Sequence, residues 1–592
     1  MEDALREIID AIQSGTPIDE AWLSKLVRRH NARTRDGERK VAKRRLLPFF
    51  LALRAHDRER YESFGLSAQD EETLLRVLRM KPRRTASGVA TITVITKPWP
   101  CSGTCLFCPS DIRMPKSYLA AEPACQRAER NFFDPYLQVR SRIAALSEMG
   151  HVTDKCELII LGGTWSDYPL SYQLWFIREL FRALNDCGTR ALTGEGPEAR
   201  ERRYRMLGLT YDEEQLRERT CALQADIMSG RRTYNECMAE ILSSDEAKAV
   251  AAFQRADWDE LEREQRENED ATHRVVGLTI ETRPDLINDE SARTMRRMGC
   301  TKIQMGIQSL DEELLARNGR NVTVAQIASA FSALRTFGYK IQVHFMANLL
   351  GATLEADAAD YERLVSDPRF LPDEVKLYPC ALVESSGLMR AWERGEWRPY
   401  TEEELIDLLA HDLLVTPAYT RVSRMIRDIS STDIVCGNKK TNLRQMVEAH
   451  IGKDGGQVSE IRMREVATSD VAAGTLSLEC VSYETTVSQE HFLEWVSETD
   501  RIAGFLRLSL PKDRPQAMIR EVHVYGRVAG LHRTESGGAQ HQGLGKELVE
   551  RACAMAREAG YEAINVISAV GTRNYYRALG FSDADLYQRR RL

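Results

Sequence analysis

The sequence predicts a multidomain α/β protein in which a helical region comes first, a partial (β/α)6 barrel follows, and a smaller α/β domain ends the chain. Two observations support this prediction. From about residue 85, short apolar runs alternate with amphipathic helical stretches, which is typical of a parallel sheet. After about residue 476, two strand-like segments precede a glycine turn, a helix and another strand. The length of 592 residues also indicates several domains.

The composition indicates a soluble globular protein that is expected to be cytoplasmic and free of the membrane. Apolar residues make up 43% and charged residues 29%, and no apolar run is long enough to span a bilayer. The start, Met1-Glu2-Asp3, has no signal-peptide core, so the thirteen cysteines are expected to be thiols. The net charge of −6 argues against nucleic-acid binding, although the distribution of charge matters more than its sum.

Residues 1–80 are predicted to form a small helical domain with a strongly basic segment. The helical spacing of apolar residues predicts four helices, Met1–Gln13, Trp22–His30, Leu46–Leu53 and Ala68–Met80. Nine Lys and Arg residues fall between Arg28 and Arg45, and Lys81-Pro82-Arg83-Arg84 adds a second basic group. Such runs are either solvated helix faces or phosphate-binding surfaces.

Six apolar strands are predicted between residues 81 and 380. They are Val89–Ile95, Glu157–Leu161, Val275–Ile280, Lys302–Gly306, Lys340–Phe345 and Glu374–Leu377. In barrels of this kind the loops at the carboxyl ends of the strands build the active site. Residues of about 186 to 272 interrupt the alternation and are predicted to be a charged helical insertion, to which we assign no chemistry.

Three cysteines, Cys101, Cys105 and Cys108, directly follow the first predicted strand at C-x3-C-x2-C spacing. Thiolates hold iron–sulfur clusters, and three thiolates would leave one iron of a cubane open to a substrate. A structural zinc site usually needs four ligands, and a disulfide scaffold does not suit this chain. With Phe107 before the third cysteine, the motif resembles the signature of radical S-adenosylmethionine (SAM) enzymes. That resemblance implies a [4Fe-4S] cluster whose open iron chelates SAM and whose reduction yields a 5'-deoxyadenosyl radical.

Other strand ends carry polar or glycine residues. Gly162 and Gly163 end the second strand and could approach the amino group of SAM, Glu281 ends the third, and Lys376 lies in the sixth. Each also fits a packing or capping role, but their recurrence at one end of the sheet favours a cofactor site. The region 381–475 is predicted to be a linker with Arg-rich strands, either a salt-bridged sheet face or a phosphate-contacting surface.

The region 476–592 contains a glycine turn, Gln540-His-Gln542-Gly543-Leu544-Gly545, which opens a helix from Lys546 to Ala559. Backbone N–H groups at such a helix start can bind a pyrophosphate. Together with the surrounding strands and Tyr575-Tyr576, this order resembles the GNAT N-acetyltransferase fold. The resemblance implies acetyl-CoA binding, with a tyrosine near the C-terminus beside the thioester.

A radical SAM barrel fused to a GNAT domain resembles the catalytic subunit, subunit three, of Elongator. The matching segments are Arg84–Ala90, Lys97-Pro98, Ile280–Asp285, Val375–Pro379, Arg427–Ile429, Arg464–Val466, Glu521–Gly526, His541–Gly545 and Val570–Tyr576. The resemblance implies an enzyme that acts on the wobble uridine, in the anticodon stem-loop of tRNA. The N-terminal basic helices would then hold tRNA.

The same resemblance implies roles for individual residues. Cys101, Cys105 and Cys108 would bind the cluster, Lys155 would contact acetyl-CoA from the barrel, and Tyr576 would sit beside the thioester. The remaining residues of the implied acetyl-CoA site are Glu521, Val522, His523, Val524, Gln542, Gly543, Leu544, Gly545 and Lys546. The short cysteine spacing, the long insertion and Met346-Ala-Asn in place of a Pro-rich turn suggest a bacterial-type enzyme that acts without other Elongator subunits.

The implied reaction joins the two modules. The adenosyl radical would take hydrogen from the acetyl methyl group of acetyl-CoA, and the carbon radical would add to carbon 5 of uridine 34. Hydrolysis of the thioester would leave a carboxymethyl group. The alternative is a protein lysine acetyltransferase with a structural iron–sulfur barrel, which would need Glu521 or His523 as a general base.

Overall fold

A computed structural model of the chain describes residues 1–32, 40–80, 87–188, 191–192, 194–453, 455–466, 476–525 and 543–592. The N-terminal region is helical, as predicted. Its helices are α1 (Glu2–Gln13), α2 (Glu20–Ala32), α3 (Lys43–His56), α4 (Arg58–Glu62) and α5 (Ala68–Leu78). Ser67 caps α5 through a reciprocal capping box with Asp70, and the helices bury a small apolar core of their own. Arg33, Arg35, Arg39 and Lys81–Arg84 lie outside the described residues.

A parallel sheet forms the centre of the molecule, and all six predicted strands are confirmed. They are β1 (Ala90–Ile95), β2 (Lys155–Leu161), β3 (Arg274–Thr282), β4 (Lys302–Gln308), β5 (Lys340–Ala347) and β6 (Glu374–Pro379). A seventh strand, Arg421–Arg424, extends the sheet beyond β6 in parallel register. Most positions of β4 to β6 are buried, because helices cover the outer face of the sheet. The half-barrel predicted from the alternation is therefore present, with one strand more than expected.

Helices and short strands connect and extend this sheet. The helices are α6 (Pro123–Arg130), α7 (Pro135–Glu148), α8 (Leu170–Asp186), α9 (Pro197–Met206), α10 (Glu213–Ser229), α11 (Tyr234–Ser243), α12 (Asp245–Phe253), α13 (Trp258–Asn268), α14 (Asp289–Arg297), α15 (Glu312–Arg317), α16 (Val324–Thr336), α17 (Leu354–Ser366), α18 (Leu388–Glu393), α19 (Glu402–Val415), α20 (Leu443–Lys453) and α21 (Ile461–Arg464). The strands after β6 are β7 (Leu382–Val383), β8 (Arg421–Arg424) and β9 (Ile434–Cys436). The predicted insertion corresponds to α9 to α13. No helix within the described ranges is long and apolar enough to cross a membrane.

The C-terminal domain is a second seven-stranded sheet of mixed direction. Its elements are β10 (Leu476–Glu484), β11 (Ser488–Ser497), β12 (Ile502–Pro511), β13 (Gln516–Val524), α22 (Leu544–Glu558), β14 (Ala563–Val566), α23 (Arg573–Ala578), β15 (Ser582–Ala584) and β16 (Tyr587–Arg591). Strands β13 and β14 run parallel and pair only from Gln516 to Ile519. Beyond Ile519 the two strands separate, so one backbone edge of Arg520–Val524 has no partner in β14.

The C-terminal domain docks against the amino ends of the barrel strands through buried charges. Asp373, just before β6, is fully buried between Arg507 of β12 and Arg520 of β13, with side-chain contacts of 3.3 Å and 3.2 Å. Lys340, at the start of β5, lies 2.6 Å from Glu521 of β13. The C-terminal domain therefore covers the end of the barrel opposite the loops that follow the strands.

Candidate active site

The cysteine loop lies at the carboxyl end of β1, as predicted, and is anchored to distant parts of the barrel. The backbone N–H of Leu106 donates to the carbonyl of Asn318 at 2.9 Å, and its carbonyl accepts from the N–H of Leu388 at 2.9 Å. Cys105 is buried in an apolar cluster that includes Leu349 and Leu388. The loop is thus held by its own backbone and by packing.

Nearby charges favour a thiolate at this loop. A hydrogen bond from the Cys108 thiol lowers the pKa of Cys105 to about 5, against the opposing effect of burial. The Arg320 guanidinium, whose Nη1 lies 3.4 Å from Cys105 Sγ, is a second cause of this lowering. The pKa of Cys108 is raised well above its usual value, because its proton is shared with Cys105 and the group is buried. Cys101 Sγ accepts the N–H of Gly103 at 3.3 Å.

These features fit an iron–sulfur cluster. None of the three cysteines is in a disulfide, and the Arg320 guanidinium donates to Cys105 Sγ, which favours the thiolate that a cluster needs. Across the described ranges there is no group of three or more His, Cys, Asp or Glu side chains arranged to hold a single metal ion. A cubane takes each thiolate on a separate iron, so the three sulfurs do not need to converge on one point.

The other strand ends lie beside the cysteine loop. A side chain at Gly162 (φ +145°) would collide with Thr96, 1.9 Å away, so this glycine is needed for packing. Gly163 follows it, and Thr164 Oγ1 lies 3.5 Å from Cys101 Sγ. The carboxyl end of β2 is therefore close enough to the loop to contribute to the same site.

A connected cluster of polar side chains lines the barrel interior below the loop. Tyr118 donates to Glu281 at 2.8 Å, and Lys376 donates to the side-chain oxygen of Gln304 at 2.8 Å. His344 lies between them, 3.5 Å from Glu281 and 3.4 Å from Gln304. Burial raises the pKa of Glu281, and burial lowers the pKa of Lys376 to about 8. Glu281 therefore takes up a proton more readily, and Lys376 loses its proton more readily, than the same groups do in water.

In the C-terminal domain, those predicted acetyl-CoA residues that the structure describes on β13 and at the start of α22 lie around the gap between β13 and β14. Glu521 pairs with Lys340 at 2.6 Å and with Arg507 at 2.9 Å, and Val522 and His523 follow it along β13. The pKa of Glu521 is lowered, because these two cations outweigh the effect of burial. Burial lowers the pKa of His523, which favours the neutral imidazole.

Helix α22 begins next to the same gap. Gly543 takes a left-handed conformation (φ +77°) before the first turn, which leaves the first N–H groups of the helix without helical partners. Leu544 is buried in an apolar cluster that includes Val524 at the end of β13, whereas Lys546 is exposed. Gly545 comes close to Tyr575, since an added Cβ would lie 3.1 Å from the Tyr575 hydroxyl. Gln542 lies outside the described residues.

Tyr576 and Lys155 lie in different places: Tyr576 lines a cavity that reaches the C-terminal domain, whereas Lys155 is at the start of β2 and is not among the residues that line it. Tyr576 is buried in the C-terminal core, and burial raises the pKa of its hydroxyl, which therefore stays protonated. Lys155 is the first residue of β2 and pairs in register with Arg274. Gly571, in the turn before α23, packs against Arg274 so closely that an added Cβ would lie 2.5 Å away. Lys155 is therefore at the edge of the interdomain contact.

One cavity of about 1060 Å³ extends from the cysteine loop to the C-terminal domain. Cys108 and Glu281 line it on the side of the cysteine loop, and His523 and Tyr576 line it in the C-terminal domain. Between them, Glu374 is paired with Lys302 at 2.7 Å and with Lys340 at 2.6 Å. The two predicted cofactor regions thus open into one interior space.

Three family models match the chain in the order that the fold suggests. The Radical SAM superfamily matches residues 244–363, the Radical SAM C-terminal domain matches 372–453, and the Acetyltransferase (GNAT) family matches 468–581.

Similar proteins extend over most of the chain. The "tRNA uridine(34) acetyltransferase" of Methanocaldococcus infernus is 33% identical over 546 residues, covering 88% of this chain and 89% of that protein. The chain belongs to the tRNA uridine(34) acetyltransferase family. The protein of the same name from Dehalococcoides mccartyi is 32% identical, covering 85% of this chain and 97% of its own length. "Elongator complex protein 3" of Schizosaccharomyces pombe is 31% identical, covering 86% of each chain.

A solved member of the tRNA uridine(34) acetyltransferase family has the same fold. The archaeal Methanocaldococcus infernus Elp3 with an N-terminal deletion (1–46) aligns with a TM-score of 0.65 at 29% identity. The alignment covers 86% of this chain and all of that one. The predicted combination of a radical SAM barrel and a GNAT domain is confirmed, and with it the [4Fe-4S], SAM and acetyl-CoA cofactors that these domains use.

Several residues of this family member's site were not found by sequence reasoning. Arg320 contacts Cys105 from a turn more than two hundred residues away, and Arg427 donates to the backbone of Ser117 behind the cysteine loop. Arg427 belongs to a segment that carried the family resemblance, which was the one available signal. Tyr118 had no such signal, because a lone tyrosine in a loop has no pattern.

Proposed function

We propose that this chain modifies the wobble uridine of tRNA, using SAM and acetyl-CoA to place a carboxymethyl group on carbon 5 of uridine 34. The observation that carries the proposal is the single cavity lined by Cys108 at one end and Tyr576 at the other. A reaction that combines chemistry from two domains needs a common space, and binding both groups in it replaces a difficult encounter in solution.

At the loop end, Cys101, Cys105 and Cys108 would hold the cluster. When bound, the cluster supplies the electron for cleavage of SAM. Around it, Arg320 would balance the charge of the thiolates, and Glu281 and Lys376 offer a carboxylate and an ammonium group inside the cavity. These residues are suited to bind and orient a zwitterionic ligand, because both charges are desolvated and face the same space.

At the C-terminal end, the open edge of β13 and the start of α22 are suited to hold acetyl-CoA. The open edge could pair with an extended amide chain, and the first N–H groups of α22 could bind a pyrophosphate. Tyr576 would place a protonated hydroxyl at the cavity wall near the thioester. Lys155 stays a predicted contact from the barrel side.

The alternative, lysine acetylation of proteins, is less well supported. It needs a general base beside the thioester. Glu521 is paired with Lys340 and Arg507, so its carboxylate is a poor proton acceptor. Burial favours the neutral form of His523, which could accept a proton, but its Nε2 is buried in the wall of the cavity shared with the cysteine loop.

We further propose how the chain divides these tasks. Residues 1–80 would hold the anticodon stem-loop, 81–380 would carry the radical chemistry, 381–475 would link the two modules and 476–592 would bind acetyl-CoA. Arg28, Arg44 and Arg45 are exposed on the N-terminal helices, where they could contact RNA phosphates. The partial barrel receives its seventh strand from the linking region, so this region would also support the radical site.

The test is reconstitution of the full chain under anaerobic conditions with tRNA, acetyl-CoA, SAM and a reductant. Nucleosides from the digested tRNA are then analysed by mass spectrometry. We expect a carboxymethylated uridine that requires all four components. The Cys105→Ala variant should make none, yet should bind acetyl-CoA as the unchanged protein does. Product formation by Cys105→Ala would contradict the radical assignment, and an acetylated lysine peptide without modified tRNA would support the alternative.

A further inference from the structure

The helical insertion between α8 and β3 packs directly on the cysteine loop. Ile112, a few residues after Cys108, is buried against Tyr234, Cys237 and Met238 of α11. The loop has little regular structure of its own, so its backbone groups need partners from elsewhere. Side chains of the insertion supply several of them.

Asn235, in the first turn of α11, binds both backbone groups of Cys101. Its Oδ1 accepts the N–H of Cys101 at 3.0 Å, and its Nδ2 donates to the carbonyl of Cys101 at 2.8 Å. A capping box between Thr233 and Glu236 fixes the start of this helix. Asn235 is therefore presented on a rigid support and holds the peptide groups on both sides of the first cysteine.

Two further residues of the insertion hold the following part of the loop. Gln224 of α10 donates to the carbonyl of Ser110 at 3.0 Å and accepts the N–H of Ile112 at 2.9 Å. The buried Tyr234 donates its hydroxyl to the carbonyl of Met114 at 2.7 Å. The same use of amide and hydroxyl groups recurs along the loop, which indicates a continuous support rather than one chance contact.

We propose that Asn235 is a positioning residue of the iron–sulfur site, acting through Cys101. With both peptide groups fixed, Cys101 Sγ keeps its hydrogen bond from the N–H of Gly103 and its place 3.5 Å from Thr164 Oγ1. Residues that orient ligands affect how firmly a metal site is held, and hydrogen bonds to sulfur help to set the potential of a cluster. The insertion is thereby part of the cluster site.

The test compares Asn235→Leu with the unchanged full-length holoenzyme. Leucine keeps the size of the side chain but removes both hydrogen bonds. We expect iron release to an anaerobic chelator to be about 10- to 100-fold faster, since loss of an orienting partner has this effect on metal affinity. We also expect a shifted midpoint potential in a titration followed by electron paramagnetic resonance. Asn235→Asp keeps the acceptor for the Cys101 N–H and should release iron at an intermediate rate.

The matched control is Ser243→Ala at the far end of the same helix, whose hydroxyl bonds to the carbonyl of Glu240. It should behave as the unchanged protein. If Asn235→Leu does not fold, Tyr234→Phe removes one hydrogen bond to the loop and should still release iron faster than Ser243→Ala. Equal release rates and potentials for the substituted and control proteins would overturn the proposal. These measurements use neither tRNA nor acetyl-CoA, so their outcome is independent of the reaction proposed above.

Discussion

Replacing Asp373 by Asn should loosen the contact between the barrel and the C-terminal domain. Asp373 is fully buried, faces Arg507 and Arg520, and accepts the N–H of Ile341 at 2.8 Å. Burial alone would raise the pKa of Asp373, but the guanidinium groups of Arg520 and Arg507 hold this pKa well below its usual range. The substitution keeps the shape of the side chain and removes its charge.

The expected loss in the free energy of unfolding depends on which carboxylates Arg507 and Arg520 keep as partners. Removing one member of a buried ion pair costs about 3–5 kcal/mol in the free energy of unfolding. Arg520 would keep Glu490 at 2.8 Å and Arg507 would keep Glu521 at 2.9 Å. We therefore expect the lower value, about 3 kcal/mol, because neither arginine would be left without a carboxylate. For a cooperative unit the size of the C-terminal domain, this lowers Tm by about 10 °C.

The pH dependence gives a second readout with a defined sign. A carboxylate with a lowered pKa in the folded state stabilises the protein above its unfolded pKa of about 3.9, and this stabilisation is lost as pH falls toward the folded value. The difference between the unchanged protein and Asp373→Asn should therefore be constant around neutral pH and shrink in acid. Calorimetry and urea unfolding across this range measure it.

A matched control is Asp513→Asn, an exposed aspartate in the turn between β12 and β13. We expect it to change the free energy of unfolding by less than about 0.5 kcal/mol. The reasoning would be refuted by an Asp373→Asn protein within that same margin. A difference that grows as the pH is lowered would refute it as well.

Three further outcomes are expected. The initial rate of modified-uridine formation should fall as the pH rises through about 8, where Lys376 loses its proton. The rate of the Lys376→Gln variant should not show this decrease. Tyr576→Phe should use acetyl-CoA about fivefold more slowly, since a buried hydrogen bond contributes about 1 kcal/mol. Tyr575→Phe should remain near the unchanged rate, and equal rates for the two variants would argue against a thioester contact. Gly571→Ala should lower the free energy of unfolding by about 1–3 kcal/mol through overpacking against β3. Gly452→Ala, in an open part of α20, should be neutral or stabilising in the same urea titration.

The barrel strands could be predicted because their apolar runs are nearly continuous and bounded by helices with clear periodicity. The six predicted strands start within a few residues of the observed ones. The seventh, Arg421–Arg424, is four residues long with an arginine at each end, so its pattern does not indicate membership in a buried sheet. Its place depends on pairing with β6, which only the folded chain reveals.

The candidate site, like the sheet, could be predicted only in part from the sequence. Local spacing predicted the cysteine loop, and the resemblance supplied the acetyl-CoA residues, whose roles stay predictions. Arg320 could not be found, since its contact with Cys105 joins distant parts of the chain. Asn235 was missed because a polar residue in a charged insertion has no local sign of the peptide it binds. The shared cavity depends on the docking of two domains through Asp373, and sequence pattern carries no information about such docking.

The C-terminal domain covers the end of the barrel at which the strands begin. Lys340 and Glu374 would face water if this domain were removed, and Asp373 would lose both of its arginines. The two modules are therefore poor candidates for separate expression. If both cofactors bind as proposed, a compound that fills this shared interior would block the approach of either cofactor's reactive group to the other. A compound that is found in a screen to compete with one cofactor would then be expected to compete with the other cofactor as well.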